Sequence, residues 1–449
     1  MSRAIRSNRA SVNVAIAKPS VSAQIARPMT DLPADPSEPD TSLKALLGRT
    51  DFVAFWLGKV AATLGVQIQS VALGWQMYAL ARETMSVAQS AFYVGMIGLA
   101  AFIPVFLLAL PAGETADRYD RRKVLLLCYV GETATAIILC LAAIFHFASI
   151  PLLLALSALF GASRAFMGPA STAMGPMLVP RALLPRAIAW NSLAWQGGSI
   201  VGPALGGILV AVSAAHSYGV TVVLYLVAAF CVFLVRTNTQ PVVNPGSRWA
   251  LMKEGLTYVW QNKIVFGAIS LDLFAVLLGG ATALLPVFAR DVLHVGPEGF
   301  GLLRAGPAIG ATLVAVILAS YPIRRRAGHI MFAGVAVFGA ATIVFGLSKS
   351  LPLSIAALAV LGGADMLSVF VRQTLVQIVT PDQMRGRVAA VSSLFIGASN
   401  ELGEFESGVV ARFLGPVGAA VFGGVGALFV TGLWARLFPE LRRADRLDQ

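Results

Sequence analysis

Charge is scarce in this 449-residue chain. Asp, Glu, Lys and Arg make up 12% of it, against roughly 25% in a soluble domain. With 57% apolar residues and a mean hydropathy of +0.77, the scarcity excludes a water-soluble globule and assigns the chain to a lipid bilayer. Cysteine is almost missing. Cys128, Cys140 and Cys231 each sit inside an apolar stretch, with no spacing that suggests a disulfide framework or a zinc site. His146, His216, His294 and His329 are scattered near segment ends without a partner at ligand spacing, so no metal is expected. No G-x-x-x-x-G-K-[ST] loop exists, which excludes ATP binding of that kind. No nucleophile–base or metal cluster lies at matched depth, so neither an enzyme nor a cofactor is expected.

What is present is a series of long apolar runs. They lie near 52–80, 88–112, 123–147, 150–179, 187–212 and 217–236, and again near 264–289, 299–322, 329–348, 352–380, 388–413 and 416–436. Each is long enough for a helix to cross about 30 Å of hydrocarbon, and helices satisfy their own backbone groups there. The expected architecture is all-α and integral to the membrane, with twelve transmembrane helices in two pseudo-symmetric six-helix bundles. The expected boundaries are a disordered tail at 1–50, bundles at 51–236 and 264–436, a linker at 237–263 and a second tail at 437–449. The first tail contains "DLPADPSEPD" and no apolar run of signal-peptide length. In the linker, "RWALMKEGLTYVWQNK" has helically spaced apolar residues, as a surface-lying amphipathic helix does.

The formal net charge of +12 could suggest nucleic acid. Its distribution argues otherwise. With the N-terminus inside, 26 of the 34 Lys and Arg residues fall in the tails and the connections on the same side. That asymmetry predicts cytoplasmic termini and a multi-pass inner-membrane protein. The second half also repeats the first. Shifting the chain by 201 positions aligns 151–207 with 352–408, with 12 of 57 positions identical, among them Pro180 with Pro381, Arg186 with Arg387 and Gly202 with Gly403. An even number of helices separates the copies, so they share one orientation, as in parallel-repeat secondary transporters.

Seven of the ten residues from Glu114 to Lys123 are charged, in "GETADRYDRRK". Gly113, Asp117, Arg118, Arg121 and Arg122 resemble the signature G-x-x-x-D-R-x-G-R-[RK] of the major facilitator superfamily, between its second and third helices. Asp120 stands where the family usually has a second glycine. In "GGSIVGPALGG", Gly198, Gly202, Pro203, Gly206 and Gly207 resemble the antiporter signature G-x-x-x-G-P-x-x-G-G, common among exporters. The stretch "TPDQMRGRVAAVSSLFIGASNELGEFESG" is similar to the subgroup containing the enterobactin exporter and macrolide efflux proteins. The likeness covers nearly everything after residue 50. It implies a drug:proton antiporter type of transporter, a charged loop that latches the halves on the cytoplasmic side, and a fifth helix that packs closely and swivels at Pro203.

Charges inside the apolar runs are costly unless they meet a partner or a cavity. They are Lys59, Glu132, Arg164, Asp272, Arg304, Asp365, Arg372, Glu401, Glu404 and Glu406. Arg164 and Asp365 occupy equivalent repeat positions. Because the superfamily lines its path with helices 1, 4, 7 and 10, the resemblance implies that these two face one another across it. Asp365 and Arg372 share a helical stripe, and Glu401 and Glu404 lie about 60° apart on one face. Two acids so close repel when both are ionised, which suits one of them to carrying a proton; a structural ion-pair network is the alternative. Arg164, Asp365, Arg372, Glu401, Glu404, Asp272 and Arg304 are therefore the candidates for the cavity and for proton coupling. Glu132 reads as structural. Trp56, Trp75, Tyr78, Phe92, Phe166, Trp190 and Trp195 could stack on a planar substrate or simply pack.

The expected function is export of a small amphipathic molecule, drug- or siderophore-like, by alternating access in exchange for protons. The expected protein is a monomer with lipid, substrate and protons as partners and no nucleic acid. An importer or facilitator on the same scaffold, or a membrane sensor that does not transport, are the alternatives.

Overall fold

A computed structural model describes residues 42–240, 248–321, 323 and 325–444, with side chains for all of these except 248–251 and 382. The tail expected at 1–50 therefore lies mostly outside the described residues, as do 241–247 of the linker and 445–449. Within the described residues, the first tail ends sooner than expected. Leu43–Leu47 forms a short helix, with Ser42 accepting from the amide of Ala45. Its Leu46 is buried in the apolar core, which a purely polar tail could not supply.

The described residues contain helices and no strand. The first six long helices are α1 (Thr50–Thr84), α2 (Val87–Arg118), α3 (Arg121–Ile144), α4 (Ile150–Met174), α5 (Leu184–Val212) and α6 (Ala214–Leu234). A linker helix, Arg248–Gln261, precedes α7 (Lys263–Leu278), α8 (Pro297–Ser320), α9 (Ala327–Leu347) and α10 (Leu351–Val379). The last helical run, Asp382–Leu437, has 56 residues, which would reach about 84 Å if straight. It folds back at Gly415, whose φ of 73° and ψ of 170° are followed by Pro416. This divides it into α11 (382–414) and α12 (416–437), completing twelve spans.

Local chemistry sets the boundaries. Ser86 and Gln89 form a reciprocal capping box at the start of α2, satisfying amides that have no partner within the helix. Asn262 Oδ1 accepts from the amides of Ile264 and Val265 and opens α7. Proline stands in the first turn of α4, α8 and α10, where its missing N–H costs nothing. The run expected at 264–289 is not one helix. It breaks at Gly279 and Gly280 into the short turns Ala281–Leu284, Leu285–Val287 and Phe288–Val292. A Cβ at Gly280 would lie 2.2 Å from the carbonyl oxygen of Gly403, so the break lets the backbones of α7 and α11 touch.

Within the first six helices, α1 packs on α5 and α6, α2 on α4, and α3 on α4 and α6. Within the last six, α10 packs on α8 and α9, and α7 on the α11–α12 pair. The two sets meet along α2–α11 and α5–α8. With twelve spans, α1 begins and α12 finishes at the same end of the molecule, called here the termini end. The apolar core is unevenly shared between the two ends. At the far end one cluster joins both sets, including Met77, Tyr78, Val94, Leu285, Phe288, Phe300 and Ala411. At the termini end each set has its own cluster, around Phe52, Phe55 and Leu125 in one and Leu271, Met331 and Leu441 in the other. The linker helix docks on the second set through Val259, and Tyr258 Oη donates to the carbonyl of Val379. Large apolar side chains such as Leu127 and Phe429, 74% and 67% exposed, cover the outer surface, as a lipid-facing wall requires.

Gly415 tests the fold directly. Its φ and ψ lie where essentially only glycine is unstrained, and nothing stands within 4 Å of a Cβ built there. Gly415→Ala should therefore lower stability through backbone strain alone, by about 1–3 kcal/mol, read as a lower unfolding midpoint of the detergent-solubilised protein. An unchanged midpoint would contradict the fold-back.

Candidate functional site

Between the two sets of helices lies a cavity of about 470 Å³. The first set contributes a polar stripe on α1, Lys59, Thr63, Gln67 and Ser70, at spacings that repeat on one helical face. Phe160 and Arg164 of α4 and Trp195 of α5 complete that wall. From the second set come Pro286, Arg304 of α8, and Asn400, Glu401 and Glu404 of α11. A second space of about 610 Å³ lies at the termini end, between α2 and α4 on one side and α11 with Met252 of the linker helix on the other. Arg164 stands on the wall of both.

Arg164 is the charged link across the cavity. Its Nη1 donates to Glu401 Oε1 at 3.2 Å, and its guanidinium lies 5.6 Å from the centre of the Phe160 ring. The expected facing pair of Arg164 and Asp365 is not formed. Asp365 instead shares the surroundings of Asp272 and Arg372. Arg372 Nη1 stands 3.1 Å from Asp272 Oδ2, close enough for an ion pair but outside hydrogen-bond alignment. Both side chains are buried inside the second set, joining α10 to α7. The cause lies in α11: it brings Glu401 to the arginine first, while Asp365 is drawn to the cation on its own stripe. Of the seven expected charges, Arg164, Arg304, Glu401 and Glu404 line the cavity, and Asp272, Asp365 and Arg372 form a separate cluster.

Glu404 has Glu401 as a like-charged neighbour and Arg304 and Arg164 as its nearest cations. It is held there by glycine. A Cβ at Gly98 of α2 would come within 2.7 Å of the Glu404 Cβ, and one at Gly95 within 2.7 Å of Gly408 Cα. So α2 and α11 cross at backbone contact toward the far end. Glu406 meets the hydroxyl of Ser407 and does not line the cavity. Glu132 is fully buried, with neither carboxylate oxygen hydrogen-bonded and Arg164 as its cationic neighbour.

The glycines of α5 divide their work. Gly198, Gly202 and Gly206 face α1, where added Cβ atoms would lie 2.5 Å from Thr63, 2.6 Å from Gln67 and 3.0 Å from Val71. Gly207 faces the other set, and its Cβ would lie 2.8 Å from Gly301 Cα of α8. The carbonyl of Pro203 also abuts Gly301. The five residues thus pack α5 on its neighbour and let it approach α8 at the far end.

The charged stretch is less of a loop than the sequence suggests. Gly113, Asp117 and Arg118 lie on the last turns of α2, and Arg121 and Arg122 on the first turn of α3. Only Tyr119 and Asp120 separate the helices, both with negative φ. Aspartate therefore suits the position better than glycine would: its Oδ1 accepts from the amide of Arg122 and from the hydroxyl of Thr239, capping α3. Arg118 pairs with Glu114 at 2.7 Å. Arg121 donates to the carbonyls of Ala116 and Ala173, and Arg122 to that of Phe233. These bonds stay within the first six helices. Gly113 and Asp117 look across the 610 Å³ space toward Gln383, Gly386 and Arg387 of α11, and Arg387 is paired with Glu254 of the linker helix.

The far end is closed by three of the aromatic candidates, Tyr78, Trp75 and Phe92, together with residues that the sequence did not single out. Asp291, just beyond α7, accepts from Tyr78 Oη and pairs with Arg82 Nη2 at 3.5 Å. Trp75 stacks on Phe300 with ring centres 5.9 Å apart, and Arg412 of α11 lies over Phe92 of α2. Arg82 and Asp291 flank apolar runs, where hydropathy carries no sign of pairing. Of the other aromatic candidates, Trp195 lines the cavity, and Trp56 donates to the carbonyl of Trp190.

A family profile described as transmembrane secretion effector matches residues 41–449. The chain belongs to that family. It is 27% identical over 413 residues to the enterobactin exporter EntS of Citrobacter koseri, covering 90% of this chain and 95% of the relative. The EntS of Escherichia coli O1:K1 is 26% identical over the same shares. Solved structures agree on the fold. A POT family transporter in complex with 5-aminolevulinic acid superposes with a TM-score of 0.71 at 12% identity, over 87% of this chain and 96% of that one. A bacterial homologue of the human lysosomal transporter Spinster, in an inward-facing and unoccupied conformation, gives 0.65 at 15%, over 87% and 95%. The protein is thus a multi-pass membrane transporter with the major facilitator fold, and its relatives are transporters, not enzymes.

The closure at the far end makes a prediction. With Cys128, Cys140 and Cys231 replaced by serine, Ser70→Cys on the cavity wall should react with a membrane-impermeant maleimide mainly from the termini side of sealed vesicles. Asp291→Asn, which weakens the hold of Tyr78 and Arg82, should raise labelling from the far side at least threefold. No change would show that these residues do not hold that end shut.

Proposed function

We propose that the chain exports a small amphipathic molecule from the cytoplasm across the inner membrane, exchanging it for protons while its two six-helix halves rock about the cavity. The observation that carries this reading is a passage sealed at one end by an apolar cluster common to both halves and divided at the other, with the Arg164–Glu401 pair bridging it midway. The positive-inside distribution makes the termini end cytoplasmic, so the cavity faces the compartment in which an exporter loads. The likeness to enterobactin exporters supports a siderophore-like cargo.

Coupling follows from the charges at the crossing. Arg164 has two acids of α11 within reach, Glu401 as its partner and Glu404 as a neighbour. A proton arriving on Glu404 removes one of two like charges, frees Arg304 and lets α11 move relative to α2 along the glycine contact. Loss of that proton to the cytoplasm restores the attraction and resets the pair. In this reading the charged ends of α2 and α3 form the cytoplasmic latch of the opposite state, with Asp117 and Gly113 meeting α11 once the 610 Å³ space closes. The Asp272–Asp365–Arg372 cluster keeps the second half rigid during the movement.

The experiment is uptake into inverted vesicles under an imposed pH gradient, with enterobactin as the test cargo. Wild type should accumulate it in a gradient-dependent way. Glu404→Gln should lose at least ten-fold of that uptake while still supporting counterflow without a gradient. Asp365→Asn should keep the gradient dependence. Gradient-driven uptake at wild-type level in Glu404→Gln would remove the coupling assignment, and absence of gradient-dependent uptake by wild type would remove the export reading for this cargo.

A further inference from the structure

The charges facing the 470 Å³ cavity do not balance. Lys59, Arg164 and Arg304 are cationic, and Glu401 and Glu404 are acidic. Glu401 is taken by Arg164, and Glu404 has Arg304 and Arg164 as its cations. Lys59 is left over. Among the described residues no hydrogen bond or ion pair reaches its ammonium, and no carboxylate is among its electrostatic neighbours. Only its backbone is engaged, the carbonyl accepting from the Thr63 hydroxyl.

Position makes the surplus informative. Lys59 lies nine residues beyond the start of α1, about 14 Å in from the termini end. Arg164, ten residues before the last residue of α4, and Trp195, eleven residues into α5, lie at about 15 and 16 Å by the same rise. All three line the cavity and lie at a similar depth. A lysine serving only to orient the chain would lie in a tail or connection, where 26 of the 34 Lys and Arg residues are found. An unpaired ammonium at this depth is expensive, and its retention is explained by a ligand that supplies the missing charge.

We infer that Lys59 is a specificity-determining residue that binds an anionic group of the transported molecule, with the Trp195 indole alongside to receive the planar or apolar body attached to it. The favoured cargo class is an amphipathic aromatic anion. An amphipathic cation is disfavoured, because it would meet three positive side chains at a wall whose acids are already engaged. The carboxylate, phenolate or sulfonate of such an anion forms a charge-assisted hydrogen bond with the ammonium, and the half-buried surroundings strengthen it by excluding competing water. Thr63, Gln67 and Ser70, below Lys59 on the same stripe, offer further donors as the molecule moves inward.

This inference rests on the reading of the cavity as the transport site, yet its test needs no transport. The purified full-length protein in detergent is titrated with 2-naphthoxyacetate, an aromatic anion, and with 2-naphthoxyacetamide, its neutral counterpart, following quenching of tryptophan fluorescence. Wild type should bind the anion at least ten-fold more tightly than the amide. Lys59→Gln and Lys59→Met should each abolish that preference while leaving the amide within two-fold of wild type, which also shows that the variants are folded. Lys59→Arg should retain it. Absence of an anion preference in wild type overturns the inference whatever the variants do, as does a preference that survives in both neutral variants. A protein with the preference intact but no gradient-driven uptake would sink the export reading and leave the binding assignment standing.

Discussion

In hydrocarbon, two helix bundles gain nothing from hiding apolar surface, because lipid is as apolar as leucine. Their association depends on how closely backbones approach and on which polar groups need partners. The contacts between the two halves obey that constraint. Gly95 meets Gly408, Gly98 admits Glu404, and Gly207 meets Gly301, each with less room than a methyl group needs. At these glycine contacts no side chain has to be withdrawn for the backbones to part, although larger side chains, such as Trp75 and Phe300, also join the halves. A wall of interlocked leucines would give the same closure without the same reversibility.

Charge is arranged around this reversible seam according to what moves. The Asp272–Asp365–Arg372 cluster lies inside one half, where no rocking separates its members. Arg164 and Glu401 belong to different halves, and in the proposed rocking their 3.2 Å contact would be remade in every cycle. Buried ion pairs gain little net stability because desolvation offsets attraction. A pair at the seam is therefore well matched to a switch, since the free energies of its made and broken forms lie close together. The 37% exposure of the Arg164 side chain, open to both cavities, lets water take the place of the carboxylate when the pair parts.

Much of this was legible in the sequence. Twelve spans follow from hydropathy and length, and Gly415 falls in the gap between the last two apolar runs, with Pro416 opening the second of them. The signatures singled out Gly113 to Arg122 and Gly198 to Gly207, because glycine and clustered charge are conspicuous in a greasy chain. What failed was partnering. The repeat placed Arg164 opposite Asp365, but equivalence in sequence does not set which side chain on a third helix arrives first. The helix ends failed for a related reason: Thr115, Asp117 and Arg118 read as loop by hydropathy, yet α2 continues through them because it leaves the apolar layer without losing its backbone bonds. The far-end trio gave no sign of its pairing: Tyr78 and Arg82 are one helical turn apart on α1, but Asp291 is more than 200 residues away and reaches them only after α7 has broken at Gly279 and Gly280.

The two copies of the repeat have diverged at the positions that matter most to the seam. Arg164 stands where the second copy has Asp365, and Pro203 where it has Glu404. Two identical halves facing each other across a two-fold axis would present like charge to like charge. Divergence puts Arg164 in the first half and its acid on α11 of the second, so attraction across the seam becomes possible. It also gives α5 a proline that loosens its backbone, while α11 carries in its place the carboxylate of Glu404, the proposed proton carrier. In the proposed cycle the duplication would supply a symmetric frame for rocking, and the broken equivalence within it would make that rocking responsive to charge.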